Sequence, residues 1–119
     1  MEIIYTSNYE DMSRKGAITI AQQVIKKPTS VLGFSTGSTP LRTYEILGEF
    51  YEQGIIDFSL INTFNLDEYV GLSSDHPQSY SFFMFKNLFH KIRLEPSRIH
   101  IPLGTAPDLL KECSQYEEA

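Results

Sequence analysis

One cysteine, Cys113, leaves this chain without any internal disulfide framework. No apolar run reaches the length of a membrane span. Met1-Glu2-Ile3-Ile4-Tyr5 has neither the charged region nor the long apolar region of a secretory signal. Basic residues are few: 10 Lys and Arg stand against 15 Asp and Glu, giving a net charge of -5 and a pI near 5.1. Spread along the chain, they form no basic patch, which argues against nucleic acid or an acidic membrane as partner. A reducing cytoplasm is the expected setting. Internal repeats and low-complexity linkers are also missing. What is present suits a folded domain: 119 residues, enough for one domain, with 41% hydrophobic and 13% aromatic content.

Along the chain, short apolar runs alternate with helical patterns. Ile3 to Tyr5 reads as a short strand, and Ser7-Asn8-Tyr9-Glu10 as a capping box opening a helix with Ala17, Ile20, Ala21 and Val24 on one face. Lys26-Lys27-Pro28 stops it. Val31 to Phe34 reads as a buried strand; Thr39 as N-cap and Pro40 at the first helical position then open a helix with Leu41, Tyr44, Leu47 and Tyr51 on one side, stopped at Gly54. A strand is expected at Ile61 to Leu66. After the polar stretch Gly71 to His76, a helix is expected from about Pro77 to Ile92, burying Phe82, Phe85, Leu88 and Phe89. Ile99 to Ile101 is a last strand, and Thr105-Ala106-Pro107-Asp108 caps a fourth helix with Leu109, Cys113 and Tyr116 at helical spacing. This alternation predicts an α/β fold: a Rossmann-like, mainly parallel sheet with helices on both faces. Residues 115–119 contain no helix stop, and acidic residues in a last turn oppose the helix dipole, so the expectation is a truncated fold, cut in its fourth helix.

Two segments carry chemistry. Ser35-Thr36-Gly37-Ser38-Thr39 lies between a strand and a helix, where Gly37 permits an unusual turn, hydroxyls donate, and the helix N-terminus adds N–H groups and positive dipole. It lacks the Gly-Lys-Ser/Thr of a nucleotide loop and the three-glycine spacing of a dinucleotide site, so a phosphate monoester is the better match. A simple capped turn is the bland alternative. Asp67, just past an apolar strand, is expected to be partly desolvated and placed to act as a general base. The alternative is that Asp67-Glu68 merely polarises a solvated strand end; Glu68, its neighbour, should point to the other face. In an open α/β sheet both segments would face the crevice beyond the strands' carboxyl ends. Asp75-His76-Pro77-Gln78 reads as a helix start, with Asp75 as cap and Gln78 completing a box. His90 and His100 have no partners at ligand spacing, so no metal site is expected. Cys113 reads as a buried structural thiol, and Tyr69 and Tyr80 as packing aromatics able to line a sugar pocket.

Leu32-Gly33-Phe34-Ser35-Thr36-Gly37-Ser38-Thr39-Pro40, Phe64-Asn65-Leu66-Asp67-Glu68-Tyr69-Val70-Gly71-Leu72 and Asp75-His76-Pro77-Gln78-Ser79-Tyr80 together closely resemble the glucosamine-6-phosphate deaminase family. The likeness extends through Ala106-Pro107-Asp108 and Cys113-Ser114-Gln115-Tyr116-Glu117-Glu118, covering essentially the whole chain. It implies conversion of glucosamine 6-phosphate and water to fructose 6-phosphate and ammonia, with no metal and no organic cofactor. It also implies that Asp67 is the base moving a proton between C2 and C1 of the opened sugar, and that Thr36, Gly37, Ser38 and Thr39 hold the phosphate. The family's ring-opening Asp, His and Glu sit in a later Gly-Asn-Asp-Gly-His type motif that this chain does not contain. Residues 1–119 therefore resemble the N-terminal portion of one sugar-phosphate isomerase/deaminase domain, with the piece alone expected inactive. The expected partner is a small sugar phosphate, and a homo-oligomer of the full-length form stays open. Two alternatives remain: a 6-phosphogluconolactonase-like hydrolase, whose later motif has Asp-Glu-Arg where this chain has Asp67-Glu68-Tyr69, and a non-catalytic sugar-phosphate sensor.

Overall fold

A computed structural model describes residues 1–119. After an irregular N-terminus come α1 (Tyr9–Lys26), β1 (Val31–Phe34), α2 (Leu41–Glu52), β2 (Asn62–Asn65), α3 (Tyr80–Met84), β3 (Ile99–His100) and α4 (Leu109–Glu118). α3 runs on into a π-helical turn at Phe85–Phe89, and a 3-10 turn at Pro96–Arg98 leads into β3. The strands are all parallel in the order β1-β2-β3, with Phe34 opposite Asn65 and Phe64 opposite His100.

Alternation of side chains along the strands separates two faces. Leu32, Phe34, Thr63, Asn65 and Ile99 share one of them by register. Phe34 there meets Tyr44 edge-on at 5.6 Å and Phe89 at 6.4 Å, so α2 and the π-helical turn cover that face. On the other, Phe64 stacks on His100 at 4.3 Å and meets Tyr116 at 6.0 Å, which places α4 there. Helices on both faces of a parallel sheet are thus what forms. The core lies under the first face, where Ala17, Val24, Ile46, Leu47, Phe58, Ile61, Met84, Leu88 and Phe89 are at most 1% exposed.

Several local expectations are corrected. Ile3 to Tyr5 forms no strand; these residues are exposed and β1 remains the sheet's edge. Val31 is 65% exposed instead of buried, because on this edge strand it points to the face opposite Leu32 and Phe34. The cap of α1 sits one residue later than Ser7-Glu10: Asn8 Oδ1 accepts from the Asp11 N–H at 2.8 Å, and Asp11 accepts from the Ser7 N–H at 3.0 Å. α2 has Pro40, not Thr39, at its cap, with no side-chain cap bond of its own, and Gly54 at φ 72° ends the turn after it. α3 starts at Tyr80, capped by Ser79, whose Oγ accepts from Phe82 N–H at 3.0 Å. The Asp75-Gln78 box does not form, because Asp75 accepts from Ser73 Oγ and the Gln78 N–H donates to His76 Nδ1 in local turns. Phe82 and Phe85 are half-buried, while Leu88 and Phe89 are buried. Cys113 is exposed, since α4 buries no residue and rests on the sheet chiefly through half-buried Tyr116.

Candidate active site

The loop after β1 is built from its ends inward. Tyr44 accepts from the Ser35 N–H at 3.1 Å and donates to the Ser35 carbonyl at 2.5 Å. At the other end, Tyr9 donates to the Ser38 carbonyl at 2.6 Å and accepts from the Arg42 N–H at 3.2 Å, serving one of the donors that Pro40 leaves uncapped. Gly37 sits between them at φ 105°, with open space for 4 Å around the position a Cβ would take, so backbone angle rather than crowding is what calls for glycine. Thr36 is half-buried; Ser38 and Thr39 are exposed. Arg42, the cation nearest this loop in sequence, is engaged elsewhere: it bonds Glu10 at 2.8 Å, Glu45 at 3.1 Å and Glu49 at 3.2 Å. Those hydrogen bonds, that to Glu10 first, push the guanidinium further up and hold the Glu10 carboxyl below its ordinary value.

β2 delivers the carboxylates. Buried Asn65 ties the strand ends together by donating from Nδ2 to the Phe34 carbonyl at 2.9 Å, while Tyr116 donates towards the carbonyls of Asn65 at 2.5 Å and His100 at 2.8 Å. Asp67, two residues beyond Asn65, is exposed, which corrects the expectation of partial desolvation: past the strand the chain has already entered the loop. Glu68 is the structural member of the pair. Its carboxylate accepts from the N–H groups of Tyr69 and Tyr80, both at 2.8 Å, and of Ser81 at 2.9 Å, anchoring the start of α3 beside the strand end. Gly104 pins the same loop from β3, accepting from the Gly71 N–H at 2.9 Å.

Thr36, Gly37 and Ser38 line a cleft of about 440 Å³ together with Tyr69, Gln78, Tyr80 and Phe83, and no cationic side chain lines it. Thr39 lies outside this lining. Asp67 borders a separate crevice of about 270 Å³ with Leu66, Glu68, Pro102, Cys113, Tyr116 and Glu117. The two share no lining residue; Tyr69 and Tyr80, whose rings lie 4.6 Å apart, belong to the loop cleft. The Tyr80 phenol is held above its ordinary value first by the Tyr69 hydroxyl, then by desolvation and by the charges of Tyr69, Asp67 and Glu68, so the Asp67 charge is felt at the rim of the loop cleft. Tyr9, Tyr44 and Glu68 escaped sequence reasoning in these roles, since no local pattern marks a side chain that bonds a backbone far along the chain. Gln78, read as part of a cap, lines the cleft instead. His76 is exposed in the adjoining turn, and His100 is a stacking partner of Phe64.

No family model matches the chain. Among curated proteins it is 55% identical over 118 residues to a glucosamine-6-phosphate deaminase of Thermoanaerobacter sp. (strain X514), covering 99% of this chain and 47% of that protein. Against the glucosamine-6-phosphate deaminase of Halothermothrix orenii the identity is 50%, over 99% of this chain and 49% of the relative. The chain spans about half the length of the curated relatives it matches. A solved monomeric glucosamine-6-phosphate deaminase superposes with a TM-score of 0.95 at 43% identity, over 99% of this chain and 49% of that one. The 6-phosphogluconolactonase of Thermotoga maritima gives 0.70 at 22% identity, over 98% of this chain and 51% of that one, a likeness of fold alone.

Proposed function

Homologous along nearly its whole length to about half of a glucosamine-6-phosphate deaminase, this chain supplies, we propose, the phosphate loop and the proton-transfer carboxylate for conversion of glucosamine 6-phosphate and water to fructose 6-phosphate and ammonia. One geometric observation carries the reading of the site. β1 and β2 pair in parallel with Phe34 opposite Asn65, so the Thr36–Thr39 loop and Asp67 leave the same end of the sheet from neighbouring strands. That is where open α/β sheets bind ligands. In this reading Thr36, Gly37, Ser38 and Thr39 take the phosphate and Asp67 takes the proton from C2 of the opened sugar. The electron pair left at C2 moves to form an enolamine, reprotonation at C1 converts it to an imine at C2, and water hydrolyses that imine to release ammonia. Oxidation at C2 balances reduction at C1, so the isomerisation needs no external oxidant. Exposure of Asp67 leaves its carboxylate open to a substrate entering the crevice.

The half-length match supports taking residues 1–119 as the N-terminal portion of a larger sugar-phosphate isomerase/deaminase domain, whose other portion completes ring opening. The finer placement is a hydrolase of amino sugar phosphates, acting in the cytoplasm within N-acetylglucosamine breakdown. No helix of the structure is long and apolar enough to cross a membrane. The test is to supply the full natural chain with glucosamine 6-phosphate and measure ammonia and fructose 6-phosphate together. Equimolar appearance is expected. Hydrolysis of 6-phosphogluconolactone without ammonia release would point to the lactonase alternative, and tight sugar-phosphate binding without turnover to the sensor.

A further inference from the structure

Two phenol hydroxyls reach the Ser35–Thr39 loop from different helices, and each is bonded to main chain as both donor and acceptor. Tyr44, 2% exposed on α2, holds both main-chain polar groups of Ser35. Tyr9, in the first turn of α1, holds the Ser38 carbonyl and the Arg42 N–H across 29 and 33 positions of sequence. Having one proton each, already donated to a carbonyl, neither phenol has another to offer a ligand. What they control is the direction of the backbone.

Every peptide bond here is trans, so the carbonyl of one residue and the N–H of the next point in opposite directions. Tying the Ser35 carbonyl to Tyr44 thereby fixes the Thr36 N–H, and tying the Ser38 carbonyl to Tyr9 at 2.6 Å, the shorter of its two bonds beside that from the Leu41 N–H at 3.4 Å, fixes the Thr39 N–H. We propose that Tyr9 and Tyr44 are positioning residues for anion binding, each holding a carbonyl oxygen back so that the N–H that follows it is presented to the substrate phosphate. The inference rests on the phosphate-loop reading above and adds to it the groups that set the loop. A flipped plane would turn a carbonyl oxygen towards the anion, replacing attraction by repulsion. Setting both planes in advance also removes part of the ordering cost of binding.

Tyr9→Phe and Tyr44→Phe in the full natural chain keep the rings and delete the hydroxyls. Inorganic phosphate and glucosamine 6-phosphate are titrated calorimetrically into each variant, with thermal unfolding followed in parallel and KM and kcat measured for the sugar phosphate. Each variant is expected to bind both ligands about five- to tenfold more weakly, with the loss falling on KM rather than on kcat. A merely structural role would lower the unfolding temperature and leave the folded protein's affinity and KM as they were, and that result overturns the proposal. Should Tyr44→Phe fail to fold, Tyr9→Phe decides, because Tyr9 is 47% exposed and contributes little to the core. Unchanged affinity in Tyr9→Phe, with the wild type binding both ligands, overturns the inference and leaves the phosphate loop standing. A wild type that binds neither ligand overturns both.

Discussion

Asp67 and Glu68 are chemically alike and adjacent, yet their surroundings divide the work between them. Glu68 receives three backbone N–H groups, two of them from the start of α3, whereas Asp67 is exposed on a crevice. Asp67→Asn is expected to leave sugar-phosphate binding intact and slow exchange of the C2 hydrogen with solvent deuterium by about a hundredfold or more, the usual contribution of a general base. Exchange within about tenfold of wild type would mean that another group moves the proton. Glu68→Ala should do the reverse, costing about 1–3 kcal/mol of stability through lost caps, measured by urea unfolding. Gly104 gives a third residue-level test. A Cβ there would overlap the Tyr69 carbonyl oxygen and stand 3.2 Å from that of Leu72. Gly104→Ala must therefore displace the loop that carries Tyr69, at about 1–3 kcal/mol. A urea midpoint equal to wild type would show that this approach relaxes without effect.

At the level of elements, the seam between α1 and α2 joins small residues to an ion cluster. Gly16 allows close approach, since a Cβ on it would come 3.2 Å from Thr43 Oγ1, which donates to the Ser13 carbonyl at 3.1 Å. Arg42 crosses the same seam to Glu10. Glu10 is held below its ordinary value by Arg42, first through the hydrogen bond, and Asp11 by the Ser7 N–H. Folded values depressed in this way contribute stability that is present above the unfolded carboxylate range and is lost as pH falls through the folded values. Melting temperature should accordingly drop on the acid side, and Glu10→Gln should flatten that drop; an unchanged acid limb in the variant would exclude this cluster as a source. The helical faces behind the seam, Ala17, Ala21 and Val24 on α1 and Tyr44 and Leu47 on α2, are readable from apolar spacing because each packs against the same core. Strands β1 and β2 are readable as short apolar runs, and that pattern by itself puts the loop and Asp67 at strand ends. Local pattern does not reveal the caps that come from afar. Glu68 reaches the Tyr80 N–H over 12 positions and Tyr9 reaches the Arg42 N–H over 33, so α2 and α3 begin where distant residues serve their N–H groups. Cys113 falls on an apolar spacing that in α4 has no core to meet.

For the whole molecule, the decisive quantity is how much apolar surface the two faces of the sheet leave open. The first face is covered by α2 and the π-helical turn, but the second is touched by α4 through Tyr116 near β2 and β3, leaving Val31 at 65% exposed on the edge strand. Leu66 at 89%, Val70 at 70% and Leu110 at 84% are exposed as well, near the carboxyl ends of the strands and on α4. An unpaired parallel edge beside exposed apolar side chains is a template for association. The 119-residue polypeptide on its own is therefore expected to self-associate or unfold readily. Chemistry points the same way. On the proposed reading, Asp67 takes the C2 proton only when C1 is an open electrophilic centre, and residues 1–119 hold no counterpart of the ring-opening motif that the resemblance implies for complete deaminases. Closed sugar would meet the base with no adjacent carbonyl to accept the electron pair, so the reaction should stall before deprotonation. Sedimentation velocity and ammonia release on the same preparation test both expectations at once. A stable, monodisperse monomer that turns over glucosamine 6-phosphate at about 1 per second or faster would place ring opening among residues that otherwise serve as scaffold, with the Asp67 crevice and its neighbours Glu117 and Cys113 the first groups to substitute.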